Sequence, residues 1–188
     1  MANPNSPFGF RPLMTTLNGA PIQIREYGKA AGESTAIFMN DIVMKSAASV
    51  TSQTGAGTPR PAVKSATNGS PGTTLWQGVS LNYGAASTLT YQYLVDEITA
   101  LFTAQVDGSL SVTSASHVGK NANLKYAAGS ATSKQSLMVV DNTTINTTAG
   151  LDLRIVDLSQ ASPNAEGANA IVVVTIQKHE FGQNVAGV

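Results

Sequence analysis

The chain contains no cysteine. That removes disulfides, cysteine–zinc sites and thiol catalysis together, and the fold holds without staples in any redox compartment. Charge is scarce as well. Eleven Lys and Arg stand against eleven Asp and Glu, so only 12% of residues are charged and the net charge is zero. That is roughly half the charged share of an ordinary soluble domain. A neutral chain with pI near 6.7 is not an electrostatic nucleic-acid binder, nor a polybasic membrane-surface protein. Long apolar runs are missing too. Runs such as Ile171-Val172-Val173-Val174 fall far short of the roughly 20 residues of a membrane-spanning helix. The opening stretch MANPNSPFGFRP has no basic segment followed by an apolar one, so a signal peptide is not expected and synthesis in a cytoplasm is. Aromatics make up 6%, yet hydrophobic residues reach 42%, which argues against disorder.

Small residues fill the gap left by charge: 25 Ala, 17 Gly, 18 Ser and 20 Thr among 188 residues. A chain of this length buries roughly two-thirds of its unfolded surface. It suits one domain, or one domain with an arm. Seven of the eight prolines (Pro4, Pro7, Pro12, Pro21, Pro59, Pro61 and Pro71) lie in the first 71 residues. Proline lacks an N–H and disfavours helix in the residue before it. Residues 1–21 therefore read as an extended arm without a regular element, carrying Phe8, Phe10, Leu13, Met14 and Leu17. An apolar arm with no core of its own has to dock, either on its own domain or on a neighbouring subunit.

Residues 22–188 read as a single β domain. Ile22 and Ile24 alternate with polar residues, and Ala36–Met39 leads through an Asn40-Asp41 turn signal to Ile42-Val43-Met44. Residues 46–74 are rich in Ser, Thr, Gly and Pro and read as a long loop with a short strand near Ala62-Val63-Lys64. Strands are expected at Leu75–Val79, Leu89–Val95, Ser136–Val140, Leu151–Asp157 and Ile171–Gln177. In Leu89–Val95 the tyrosines Tyr91 and Tyr93 share a face and read as core or interface. Asp107-Gly108 between two alternating runs is a hairpin signal. One short helix fits 113–124, capped by Ser114 or Ser116 and stopped by Gly119. Eight to ten short strands predict an all-β barrel or sandwich with at most one or two short helices. With so few charges its sheet edges need cover from the arm, from closure or from another subunit.

Chemistry finds little purchase. His117 and His179 lack metal-ligand spacing and read as surface or rim histidines. Asp96-Glu97 reads as a solvated turn, and Asp152 and Asp157 as outward or rim residues of their strand. Gly119-Lys120 lacks the remaining positions of a phosphate-binding loop. Three Asn-x-Ser/Thr triplets, at Asn68, Asn142 and Asn146, have no secretory context. Trp76 with Tyr83, Tyr91 and Tyr93 is the one arrangement that suits a sugar-stacking platform. A glycan-cleaving enzyme needs two carboxylates in one cleft, and only Asp96 or Glu97 with Asp152 or Asp157 offers them. No enzyme, metal or cofactor is expected.

The phrase Asn5-Ser6-Pro7-Phe8-Gly9-Phe10-Arg11-Pro12 resembles the opening of the head-decoration, or cement, proteins of tailed bacteriophages. Further pieces resemble that family in order: Asn40-Asp41-Ile42-Val43, Gly78-Val79 with Tyr83, Tyr93–Asp96, Leu101–Gln105 with Asp107-Gly108, Val118–Leu124 and Leu151–Ile155. Ile98 after Glu97 departs from it, at a place where the family has proline. The resemblance implies a β-barrel-like domain with an N-terminal arm on the outer surface of the virion head, bridging major capsid subunits. Its partners would then be the major capsid protein and itself, as dimer or trimer, with neither nucleic acid nor membrane. Phe8, Phe10, Arg11, Pro12 and Leu13 are the expected interface residues, with the two Phe rings in a neighbour's pockets and Arg11 reaching a carboxylate or carbonyl. A carbohydrate- or host-surface-binding virion protein is the alternative.

Overall fold

The computed structural model describes residues 3–15, 20–51, 59–108 and 111–182. Among them are eleven strands, one turn of 3-10 helix at Ala66–Asn68 and one short α-helix, α1, at Ser114–His117. The all-β expectation holds. The strands are β1 (Arg11–Thr15), β2 (Ile24–Lys29), β3 (Ile42–Thr51), β4 (Pro59–Ser65), β5 (Trp76–Ser80), β6 (Thr90–Val95), β7 (Ala100–Gln105), β8 (Asn121–Lys125), β9 (Val139–Asn146), β10 (Leu153–Leu158) and β11 (Ile171–Ile176).

They form two sheets. Strands β2-β4-β3-β5-β6 close into a barrel, and β1-β7-β11-β10-β8-β9 make a six-stranded sheet. That second sheet curls until β9 meets the end of β7, where Val106 bridges Val140 and Asp107 N–H donates to Val140 O at 2.9 Å. Closure therefore removes the barrel's edges without charged gatekeepers, while β1 and β9 remain the edge strands of the sheet. The barrel and the sheet are stitched together where Trp76 bridges His179.

One core runs between them. Ile42, Trp76, Val79 and Val95 of the barrel pack with Phe10, just ahead of β1, and with Phe102, Leu124, Val140, Leu153, Ile155, Val172 and Val174 of the sheet. The barrel interior holds a smaller cluster of Tyr27, Ile37, Val43, Val63 and Leu94. It also takes polar residues: Lys29 is fully buried, and its Nζ donates to Glu33 O at 2.9 Å.

Several expectations change. The arm is not free of regular structure: Arg11–Thr15 pairs with β7. Pro12 is tolerated there because β1 is an edge strand. Phe10 is fully buried in the protein's own core. Gly9 sets the path of the chain into that core. Its φ is +74°, and a Cβ there would lie 2.5 Å from Asn40 O and closer still to Ser136, so only glycine fits. The expected loop at 46–74 contains two strand segments, since β3 runs to Thr51 and pairs with β4 at Pro59–Ser65; residues 52–58 lie outside the described residues. Ala36–Met39 supplies only isolated bridges, Ile37 to Gly84 and Met39 to Gln135. Asp107-Gly108 does not turn β7 back on itself, because β1 and β11 already occupy its two edges. Val112 bridges Gly167 instead, and residues 109 and 110 lie outside the described residues. Thr113, not a serine, occupies the N-cap position of α1 and makes no side-chain capping bond; Ser114 N–H donates to Glu166 Oε1 at 2.8 Å instead.

Candidate interaction face

The pairing register decides which side of the six-stranded sheet each residue takes. Pro12, Phe102, Val174 and Ile155 lie opposite one another across β1, β7, β11 and β10, and the last three are core residues. Alternate residues point the other way. Two rows therefore cross the outer face: Met14–Leu101–Thr175–Arg154, and Arg11–Thr103–Val173–Asp157. Across β1, β7, β11 and β10 the outer residues are mostly apolar or hydroxyl, with Arg11, Arg154 and Asp157 as charges, and Leu101 and Val173 are themselves buried; on β8 and β9, Lys125 and Asp141 take the same side.

Two bulges add to the face. The register of β1 slips between Pro12 and Met14, and that of β10 slips between Ile155 and Asp157. The extra residues are Leu13 and Val156, which stay 45% and 39% exposed. A bulge re-aims a side chain out of the pleat, and both bulges here present an aliphatic residue to solvent. With Met14, 46% exposed, they leave uncovered apolar surface on β1, at the sheet's edge, and on β10, inside the sheet.

The N-terminal segment covers one end. Gln105 Nε2 donates to Pro4 O at 2.8 Å and to Asn169 O at 3.0 Å, while its Oε1 accepts Ser6 N–H at 3.0 Å. Asn3 is held at both ends of its amide by the 165–168 loop. Phe8, Pro4, Pro163 and Ile171 line a cavity of about 180 Å³ beneath that segment. Arg11 stacks over the Phe8 ring, 4.7 Å from its centroid. The expected interface residues thus divide. Phe10 goes to the core, Phe8 lies on the protein's own domain, and Pro12 faces inward opposite Phe102. Arg11 and Leu13 remain on the outer face. Met14, an expected apolar residue of the arm, joins them there, whereas Val156 carries no signal in the sequence, because a register slip leaves none.

At the other end the face runs into a polar notch. Thr175 Oγ1 donates to Ile98 O at 3.4 Å, and Ile98 with Arg25, Asp96, Glu97 and Phe181 lines a cleft of about 300 Å³. Asp96 is not the solvated turn residue expected; it is 3% exposed. Its Oδ2 accepts from Tyr27 Oη at 2.5 Å and from Arg25 Nη1 at 3.2 Å. Gln77 Nε2 in turn donates to Tyr27 Oη at 3.0 Å. Burial, and then the bond to Asp96, push the Tyr27 hydroxyl pKa far up.

The remaining candidates scatter. Asp152 sits in the core rather than at a rim. Its Oδ1 accepts Trp76 Nε1–H at 2.8 Å and Gly72 N–H at 2.9 Å, and its Oδ2 accepts Leu124 N–H at 2.9 Å. Asp157 lies on the outer sheet face, and neither residue lines the Asp96–Glu97 cleft. His179 is 1% exposed, not a surface residue. Its Nδ1 accepts Phe181 N–H at 3.2 Å, and burial lowers its pKa. No group of three or more metal-ligating side chains occurs among the described residues. Trp76 is fully buried and cannot stack on a sugar. Tyr83, Tyr91 and Tyr93 do share a cleft of about 410 Å³ with Asn82, Leu89 and Thr90. There the tyrosines turn outward because Gln92 and Leu94 take the barrel interior.

No protein-family model, no curated protein and no solved structure matches this chain.

Proposed function

We propose that this is a structural protein that docks by the outer face of its six-stranded sheet on the outside of a bacteriophage head, as a decoration protein bracing neighbouring major capsid subunits. The observation that supports it most is the pair of bulges that hold Leu13 and Val156 out of their own core, beside Met14, on a face of few charges. Each of the three is about half exposed, so covering it adds roughly 1 kcal/mol. Such a face suits a broad, flat protein surface better than a small molecule. The resemblance in the N-terminal phrase supplies the identity of that surface. On the head the protein acts as a dimer or trimer, and it performs no chemistry.

The test is co-sedimentation with empty heads assembled from the major capsid protein of the same phage. The wild-type chain pellets with heads. A Leu13→Glu, Val156→Glu double variant stays folded, because both side chains are exposed at bulges, and remains in the supernatant. Equal pelleting of the two proteins, or none by the wild type, overturns the proposal. The tyrosine cleft favours a second reading, glycan binding, which a glycan array probed with a Tyr93→Ala variant as control tests.

A further inference from the structure

The notch at the end of the docking face contains an unsatisfied acceptor. Asp96 has a side chain only 1% exposed, and its Oδ2 is engaged by Arg25 and Tyr27. Its Oδ1 has no hydrogen-bond partner, and neither has Glu97 Oε2, although both atoms are buried. Glu97 Oε1 is held by the Thr99 hydroxyl at 2.8 Å, which orients the carboxylate. A buried carboxylate oxygen without a donor is costly, and native proteins rarely leave one so. Two on adjacent residues, lining one cleft, mark a place where donors are missing.

The surroundings specify the donor. One cation, Arg25, faces two carboxylates, so the notch has one negative charge in excess. Its rim is apolar: Ile98 is 47% exposed and Phe181 59% exposed, and both line the cleft. A guanidinium carries five N–H donors in a planar fork, stacks on aromatic rings and lays its methylene stem along aliphatic surface. An ammonium is more strongly hydrated and forms no planar fork.

We propose that this notch receives an arginine side chain from the surface on which the protein docks. The guanidinium enters the cleft lined by Asp96 and Glu97 and pairs with their carboxylates, and its stem lies against Ile98 and Phe181. The biological occupant rests on the docking reading above; the chemistry of the notch does not. Thr175 ties Ile98 to the outer sheet face, so an arginine seated here lies at the margin of the same contact area.

The experiment titrates the isolated protein with N-acetyl-arginine amide, following backbone amide resonances of Glu97, Ile98 and Phe181. N-acetyl-citrulline amide, its neutral analogue, and N-acetyl-lysine amide are the comparisons. Saturable shifts are expected with the arginine probe, and binding about tenfold weaker with the other two. Glu97→Gln, which keeps an oxygen for Thr99 and leaves the Asp96–Tyr27 bond alone, weakens arginine binding by a similar factor. Equal binding of citrulline or lysine, no saturable shift, or full affinity in Glu97→Gln overturns the proposal. Probe binding without head sedimentation refutes the docking reading alone. Sedimentation without probe binding refutes the notch alone.

Discussion

Asp41 makes the stability of this protein depend on pH in a direction opposite to most carboxylates. The residue follows Asn40 at the turn into β3 and is 1% exposed. Its Oδ2 accepts Phe38 N–H at 2.8 Å. Burial raises its pKa from 3.8 to about 7, against smaller opposing effects from Ser136 and the Phe38 N–H. A folded pKa above the unfolded one means that the native state holds the proton more tightly. The stability from this group is therefore complete below pH about 4, declines as pH rises from about 4 to about 7, and is gone above that. At about 1.4 kcal/mol per pH unit, the whole window is worth about 4 kcal/mol, and the part between pH 5 and 8 about 3. Other groups titrate in the same range, so the informative quantity is the difference between wild type and Asp41→Asn at each pH. Asparagine keeps an acceptor for Phe38 N–H and cannot ionise. Urea unfolding followed by fluorescence of Trp76, the only tryptophan, measures both. The variant is expected to gain about 3 kcal/mol on the wild type between pH 5 and 8, a relative midpoint shift of about 1 M or more. Parallel pH profiles for the two proteins would refute the reasoning.

Two further changes probe the core. Asp152→Asn places an amide N–H₂ where three N–H groups now converge. It should cost at least about 2 kcal/mol in urea unfolding and alter the near-ultraviolet dichroism of Trp76. Phe10→Ala should cost about 3–5 kcal/mol while Leu13→Ala, three residues on, changes stability by less than about 1 kcal/mol. Similar losses at the two sites in calorimetry would contradict the inward placement of Phe10 and the outward placement of Leu13.

Much of the fold was legible in the chain. Scarce charge, many β-branched and small residues, and two-residue alternation are local properties, and they were enough for an all-β domain with strands near β5, β6, β10 and β11. The helix at Ser114–His117 was legible for the same reason, since Gly119 ends it within a few residues of its start. Local reading failed where a residue's fate depends on a distant partner. Pro12 argued for an irregular arm, yet β7 offered it an edge 90 positions away. Asp107-Gly108 signalled a hairpin, but β1 and β11 had already filled both edges of β7. Asp96, Asp152 and His179 looked like surface residues because ionisable side chains usually are. Only the assembled sheets show the donors that make burial of the two carboxylates tolerable.

Composition and two-residue alternation set the class of the molecule: β throughout, free of cysteine and low in charge. Tertiary structure alone decided which surface it presents. Leu13 and Val156 are ordinary aliphatic residues in aliphatic-rich strands. They face solvent because each strand slips register by one residue against its neighbour. Register belongs to the pair of strands rather than to either segment, so no reading of one segment at a time could have placed them there.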